Sequence, residues 1–226
     1  MSYPQISKDT FSFLKSLEGN NNREWFNDHK TDFKLHEKNV KTFFEQVMEN
    51  LGKHDAIERM KMFRIYRDVR FSKDKSPYKT HLAGSFTREG ARLRGGYYLH
   101  LKPNDSLVAT GFWQPNKDDL HRIRKELEVN AEEFRQVVNG EKLKGLWGEL
   151  MGEELKTAPK GFDKQHPDID LIRKKQYIFV KKFSDAEVFS KDFAEKVDEA
   201  YKGIRPFFDL MSDILTTDLN GESLLD

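Results

Sequence analysis

The chain has 226 residues, of which 37 % are hydrophobic and 34 % are charged, and its formal net charge is +1. With 18 phenylalanines, this composition is typical of a folded chain with a polar surface, which excludes disordered and fibrous classes. Cysteine is absent, which excludes disulfide frameworks, thiolate metal sites and cysteine nucleophiles. No run of about 18 apolar residues occurs, and the N-terminal stretch has no apolar signal region. The composition therefore predicts a soluble, cytoplasmic protein with no membrane partner.

The positive charge is concentrated in one part of the chain. Between Arg59 and Arg94 there are eleven lysines and arginines but only three acidic residues, an excess of eight. Because the whole chain carries +1, the remainder carries about −7. The near-neutral total argues against a protein that coats nucleic acid, whereas the local excess indicates a site for an anion.

The N-terminal region is predicted to form two helices. Ser7 precedes apolar residues spaced three apart, a pattern that predicts an amphipathic helix with Ser7 as its N-cap and Gly19 as its end. A second, longer helix is predicted from about Asn22 to Leu51, because its apolar residues fall close to one stripe. Gly52 is its predicted end.

The stretch NNREWF lies where the second helix begins. Asn21 or Asn22 can cap the helix, and the free N–H groups of a first turn favour anions. The pattern favours a structural role, in which one asparagine is the cap and Trp25 and Phe26 anchor the core.

The next part of the chain changes to a period of two, rich in aromatic residues and glycine. Short turns separate the segments, which favours antiparallel pairing. The predicted strands are residues 61–67, 81–87, 96–102 and 106–113.

Helical patterning returns at Asn116, a predicted N-cap, and continues intermittently to about Leu155. A fifth strand is predicted at residues 176–183, and a last helix at about residues 191–215 with a break at Pro206. No repeat, low-complexity tract or long linker marks a boundary. The sequence thus predicts an α+β protein, a single domain over residues 1–226, with a mainly antiparallel sheet of about five strands packed with long helices.

Four motifs carry a resemblance to a known family: NNREWF (Asn21–Phe26), RDVRFSKDKSPYK (Arg67–Lys79), GFW (Gly111–Trp113) with Pro115, and PKGFDKQHP (Pro159–Pro167). In this combination and order the chain resembles the bacterial and fungal family of conserved hypothetical proteins known as domain of unknown function 2461. The resemblance covers nearly the whole chain and implies that the motifs belong to one domain, but it implies no activity. The chain departs from the family pattern at Ala109 and Thr110, which precede Gly111 in place of a glycine-richer run.

Residues Arg64–Lys79, here called the basic segment, carry the main functional hypothesis. If the strand at residues 61–67 stays extended, Arg64, Tyr66, Asp68 and Arg70 share one face and the alternate residues share the other. The rest of the segment is rich in turn formers and lysine, so guanidinium, ammonium and hydroxyl groups are expected to meet there. The sequence predicts binding of an anionic small molecule, best a phosphate-bearing one, by Arg64, Arg67, Arg70, Lys75, Tyr78 and Lys79, together with His166.

Two other interpretations of the basic segment stay open. In the first, Asp68 and Asp74 neutralise nearby cations in a structural ion-pair network, or the segment docks an acidic partner, and the protein is a non-catalytic interaction protein. Against complete neutralisation, these two acids face eight cations between Arg59 and Lys79. In the second, tyrosines and Trp113 stack nucleic-acid bases, but the sequence has no recognisable reader motif, so nucleic acid is disfavoured.

The loop GFDKQHPDID places three carboxylates and His166 within eight residues. The spacing matches no known metal motif, so no metal site is predicted, and Pro167 with Asp168 and Asp170 fits the first turn of a helix. Asp163 or Asp168 is alternatively expected to dock on Arg67 or Arg70. If the protein is an enzyme, His166 or His100 is the expected proton carrier; the sequence predicts no particular reaction, cofactor or oligomeric state.

Overall fold

The computed structural model of the protein describes residues 4–225. The chain folds into two compact units, each built from three stretches. The first unit contains Met1–Phe86, Tyr98–Val108 and Lys182–Glu199, and the second contains Thr87–Tyr97, Ala109–Lys181 and Ala200–Asp226. The prediction of one domain over residues 1–226 stays a prediction.

Helix α1 (Lys8–Gly19) begins as the sequence predicts. The Ser7 hydroxyl accepts a hydrogen bond from the backbone N–H of Thr10 at 3.2 Å, which satisfies one free donor of the first turn. Such a cap stabilises a helix by about 1 kcal/mol.

The predicted long helix from Asn22 to Leu51 is wrong in one respect, because it is divided at His29. Helix α2 (Arg23–Asp28) has Asn22 as its cap, and helix α3 (Lys30–Leu51) follows, with Gly52 after it. The His29 ring stacks on Trp25 at 4.0 Å, and its Nδ1 lies 2.8 Å from the Trp25 carbonyl oxygen. The backbone of His29, with φ −104° and ψ 13°, departs from helical values, and His29 is the C-cap of α2 and the N-cap of α3.

The five strands form one antiparallel sheet in the order of the sequence. The strands are β1 (Ile57–Met62), β2 (Leu82–Arg88), β3 (Gly96–Leu101), β4 (Ser106–Phe112) and β5 (Tyr177–Phe183). The predicted α+β class with its five-stranded antiparallel sheet is confirmed, and the last four strands lie within one residue of their predicted bounds.

The first strand is the exception, since residues 61–67 were predicted and β1 ends at Met62. One further ladder bond, from the Phe63 N–H to the Ala83 carbonyl at 2.8 Å, continues the pairing with β2. Beyond it the chain leaves the sheet and pairs with itself, because the Lys79 N–H donates to the Ile65 carbonyl at 2.7 Å.

The segment after β4 is helical in pieces, as the sequence predicts, but this run of helices ends at Trp147 and not near Leu155. Helix α4 (Lys117–Val129) has Asn116 as its N-cap, with side-chain bonds to two backbone N–H groups. The pieces that follow are α5 (Glu132–Asn139), α6 (Glu141–Trp147) and α7 (Ile169–Ile172).

Three helices follow β5: α8 (Asp185–Val188), α9 (Phe193–Gly203) and α10 (Arg205–Thr216). The predicted break near Pro206 lies at Ile204, and Pro206 occupies the first turn of α10. Proline is well tolerated there because the first-turn N–H groups have no partner within the helix.

Aromatic residues form the core of each unit. In the first unit, Phe44 of α3 stacks on Phe86 of β2 with ring centroids 5.8 Å apart. In the second, Phe207 of α10 lies 5.2 Å from Phe179 of β5 and 6.1 Å from Phe112 of β4. Edge-on contacts of this kind add to the free energy gained by burying the rings.

Within residues 4–225, none of the helices combines the length and the apolar character needed to cross a bilayer.

Candidate functional site

The basic segment is an ordered loop whose two ends are hydrogen-bonded to each other. The Arg67 N–H donates to the Pro77 carbonyl at 2.9 Å, and Tyr66 and Tyr78 form an isolated antiparallel bridge. The predicted alternation holds although the segment is not part of the sheet: Ile65 is buried, whereas Arg64 and Tyr66 on either side of it are exposed. Extended backbone is enough to separate the two faces.

Two of the three predicted ligand arginines bind carboxylates of their own segment. Arg67 forms an ion pair with Asp74, and Arg70 makes a bidentate contact with Asp68, with its Nε at 3.0 Å from Oδ1 and an Nη at 2.6 Å from Oδ2. The hydrogen bonds from Arg70 lower the pKa of Asp68. For these two arginines the geometry matches the structural ion-pair interpretation.

The predicted lysines donate to backbone carbonyls. Lys75 Nζ lies 2.9 Å from the Val69 oxygen, and Lys79 Nζ lies 2.8 Å from the Arg64 oxygen. Burial, and secondly the charge of Arg64, lower the pKa of Lys79. Both ammonium groups therefore hold the segment in shape, with fewer N–H groups left for a ligand.

Tyr78 is an interior anchor of the basic segment. It is buried, and its ring stacks on Phe26 at a centroid distance of 4.0 Å. Asn21 holds its backbone from both sides, since the Tyr78 N–H donates to Asn21 Oδ1 at 3.1 Å and the Asn21 amide donates to the Tyr78 oxygen at 3.0 Å. Burial raises the pKa of the Tyr78 phenol, so the hydroxyl stays protonated at neutral pH.

His166 belongs to the second unit and is bonded to backbone at both ring nitrogens. Its Nδ1 accepts from the Asp168 N–H at 3.1 Å, and its Nε2 donates to the Glu128 carbonyl at 3.1 Å. Asp168 and Asp170 both bind Arg135, at 2.7 and 2.6 Å. Asp168, Arg67 and Arg70 thus each have an ion-pair partner within their own unit, and the expected docking of Asp168 on Arg67 or Arg70 stays a prediction.

A groove that sequence reasoning missed lies between helix α3 and the residues that end strand β1. Its volume is about 320 Å³, within the usual range for small-molecule sites. Here called the cationic groove, it is lined by Lys34, Glu37, Lys38, Lys41, Met62, Phe63 and Arg64. The first four residues follow the 3–4 spacing of one helical face, which is the signal that identifies such a surface in a sequence.

Positive charge exceeds negative charge in the cationic groove. Of the described residues that line it, four are cationic and one, Glu37, is acidic. Glu37 binds Lys34 at 2.6 Å, and Lys41 lies 3.5 Å from Glu45 on the next turn. Within residues 4–225, the structure gives Lys38 and Arg64 no carboxylate partner. These two side chains leave the groove with charge for an incoming anion.

A pair of histidines lies on β3 and just before β2, also in the first unit. The rings of His81 and His100 are 4.2 Å apart, and Tyr98 Oη lies 3.0 Å from His100 Nδ1. His100 Nε2 is buried and has no hydrogen-bond partner among the described residues. Burial is the main cause that lowers the pKa of each imidazole to about 4, and the positive charge of Lys102 lowers both further, while Asp105 opposes this at His100. Both rings are thus neutral at pH 7.

This pair makes the stability of the protein dependent on pH. An unfolded imidazole titrates near pH 6.5, so between about pH 6.5 and 4 the unfolded chain binds protons that the folded chain does not. The free energy of unfolding is therefore expected to fall as the pH falls through this window, by about 2 kcal/mol for each ring once partial solvent screening is allowed for.

Urea unfolding at several pH values tests this expectation. His81→Gln and His100→Gln should each flatten the decline between pH 6.5 and 4.5. Equal pH slopes in wild type and both variants would show that the rings titrate alike in the two states.

Within residues 4–225, no three histidine or acidic side chains converge in a way suited to a metal ion. The carboxylates of the loop at residues 161–170 make local contacts instead. For example, Asp163 Oδ1 accepts a hydrogen bond from the Gln165 N–H at 2.9 Å.

Comparison with known protein families matches residues 9–210 to the family described as Conserved hypothetical protein (DUF2461). The chain belongs to this family. The resemblance carried by the four motifs is thereby confirmed, and all four lie within the matched residues. No curated protein and no solved structure matches the chain.

The structure gives a physical reason for two of the DUF2461 motifs to occur together. Asn21 and Phe26 of the NNREWF motif hold Tyr78 of the basic segment, one through its backbone and the other through its ring. Each motif therefore stabilises the other, and the basic segment is positioned by a helix start distant in sequence.

Proposed function

We propose that the protein binds an anionic, phosphate-bearing small molecule in the cationic groove. The proposal rests on one observation: Lys38 and Arg64 line an open groove of ligand size and have no carboxylate partner among the residues that the structure describes. A guanidinium can bind two phosphate oxygens at once, and an ammonium adds a point charge. Lys34 and Lys41 extend the positive surface along α3 by about 10 Å.

The remaining residues of the original hypothesis support this site in a different way. Arg67, Arg70, Lys75 and Lys79 form hydrogen bonds within their own segment, and one of these bonds joins Lys79 to the carbonyl oxygen of Arg64. Among the predicted ligand residues, Arg64 lines the groove. The basic segment thus supplies the groove with Arg64, whose carbonyl oxygen is bonded to Lys79.

Thermal unfolding with ADP, ribose 5-phosphate and pyrophosphate tests the proposal. A ligand at a hundred times its Kd adds about 2.7 kcal/mol to the free energy of unfolding, so at least one of these anions should raise the Tm by several degrees. Calorimetric titration should then show that Lys38→Ala combined with Arg64→Ala weakens binding by about a hundredfold, because each charged hydrogen bond contributes roughly 1.5–3 kcal/mol.

Arg70→Ala combined with Lys73→Ala is the matched control, since it removes the same formal charge from exposed positions of the basic segment. This control should change the Kd by less than about threefold. If none of the three anions binds the wild type, the proposal is wrong and the non-catalytic interaction protein is favoured. If the control pair weakens binding more than the groove pair, the site lies on the basic segment itself.

A further inference from the structure

The cationic groove has an apolar floor, which a site for a bare anion does not need. Met62 and Phe63 line it beside the four cations, and lysine side chains present methylene stems to the same space. A hydrated phosphate gains nothing from such a floor, since removing its water against apolar atoms is unfavourable. Burial of these apolar side chains contributes favourably to the free energy of binding only if the ligand has an apolar part that covers them.

Phe63 is held in place before any ligand arrives. Its N–H is bonded to the Ala83 carbonyl at 2.8 Å, next to the end of β1, and its ring lies 6.3 Å from the ring of Tyr98. Lys79 Nζ lies 5.8 Å from the ring centroid of Phe63. The ring is half-buried, so it combines a fixed position with an accessible surface. A fixed aromatic ring binds a second flat ring at little cost in conformational entropy.

Cations and an aromatic ring line the same groove, as a ligand with two different ends requires. Arg64 follows Phe63 directly in the chain, and Lys38 faces the same groove from α3. Its extent along α3, about 10 Å from Lys34 to Lys41, exceeds the size of a phosphate group. A ligand whose ring covers Phe63 can therefore present a joined phosphate to the cations that line the same groove.

From this geometry we infer that the groove takes a phosphate joined to a flat aromatic ring, the chemistry of a nucleotide, with Phe63 as the stacking residue. The inference rests on the proposed function, because it names the class of anion bound at that same site. Stacking on an aromatic side chain is sequence-tolerant, so the groove is expected to accept different bases with similar affinity.

Two ligands that differ only by the ring give a direct test on the wild-type protein. Calorimetric titration should show AMP binding at least tenfold more tightly than ribose 5-phosphate, which has the same sugar and phosphate without the base. AMP, GMP and UMP should bind within about fivefold of one another. Equal affinities for AMP and ribose 5-phosphate would overturn the inference and leave the proposed function intact.

Substitutions in the groove separate the contribution of the aromatic ring to binding from that of the positive charge. Phe63→Leu keeps an apolar floor but loses the flat surface, so it should weaken AMP about tenfold and leave ribose 5-phosphate unchanged. Lys38→Ala should weaken both. Circular dichroism and the Tm verify that the Phe63 variant is folded. If it is not, the comparison of AMP with ribose 5-phosphate on the wild-type protein still tests the inference. If neither nucleotides nor ribose 5-phosphate nor pyrophosphate binds, both the inference and the proposed function fail.

Discussion

Replacing Gly111 with alanine is expected to destabilise the protein by about 4 kcal/mol, or to prevent folding. Gly111 lies in β4 with φ +114°, a region that residues with a side chain rarely adopt. A Cβ atom there would lie 2.2 Å from the carbonyl oxygen of Tyr177 in β5. Because the obstacle is backbone, the two strands would have to separate to admit one methyl group.

Urea unfolding of Gly111→Ala measures this effect, and Gly145→Ala provides the control. Gly145 lies in helix α6, and apart from its chain neighbours and its own helix backbone no heavy atom of the described residues lies within 4 Å of an added Cβ. Alanine there should raise the free energy of unfolding by about 0.5–1 kcal/mol through its higher helix propensity. A Gly111 variant with the wild-type urea midpoint would show that β4 and β5 adapt easily.

The second large effect is expected from replacing Arg88 with alanine, which should lower the free energy of unfolding by about 3–5 kcal/mol. Its guanidinium is fully buried in the second unit, where it donates to the Arg94 carbonyl at 2.7 Å and lies 4.9 Å from the ring centroid of Phe208. Asp209 supplies a carboxylate 3.7 Å away. Truncation leaves a cavity and takes a donor from partly buried acceptors, and both consequences are destabilising.

Arg92 is the matched control for Arg88, because it lies four residues further along the chain and is exposed. Arg92→Ala should change the free energy of unfolding by less than about 0.5 kcal/mol in the same urea experiment. Arg88→Lys keeps the charge but loses the planar guanidinium, so its free energy of unfolding is expected to lie between those of the wild type and Arg88→Ala. Equal stability of Arg88→Ala and Arg92→Ala would mean that the buried guanidinium contributes no net stability.

The helix caps and most strands could be predicted because they depend on near neighbours. Ser7, Asn22 and Asn116 bond to N–H groups two or three residues ahead, so the residue type alone indicates the cap. Interruptions of helices were harder to predict from the sequence. The long helix is divided at His29, whose backbone leaves the helical conformation, and the apolar periodicity gives no sign of this.

The candidate site was predicted only in part. Charge counting found the excess of cations and named Arg64, but it could not assign partners. Asp68 and Asp74 bind arginines within seven residues, which occupies Arg70 and Arg67. The lysines of the groove lie on α3, more than twenty residues before Arg64, and a count over one stretch of chain does not bring the two surfaces together.

By itself the sequence determined the α+β class, the antiparallel sheet, the caps and the surplus of positive charge, because each of these follows from residue type and spacing over one or two turns. Only the tertiary structure decided which cations pair with carboxylates and which line a groove. It also decided that Gly111 must be glycine and that Arg88 is buried. These properties depend on atoms distant in the chain, such as the Tyr177 carbonyl and the Phe208 ring, whose positions are set by packing rather than by local preference.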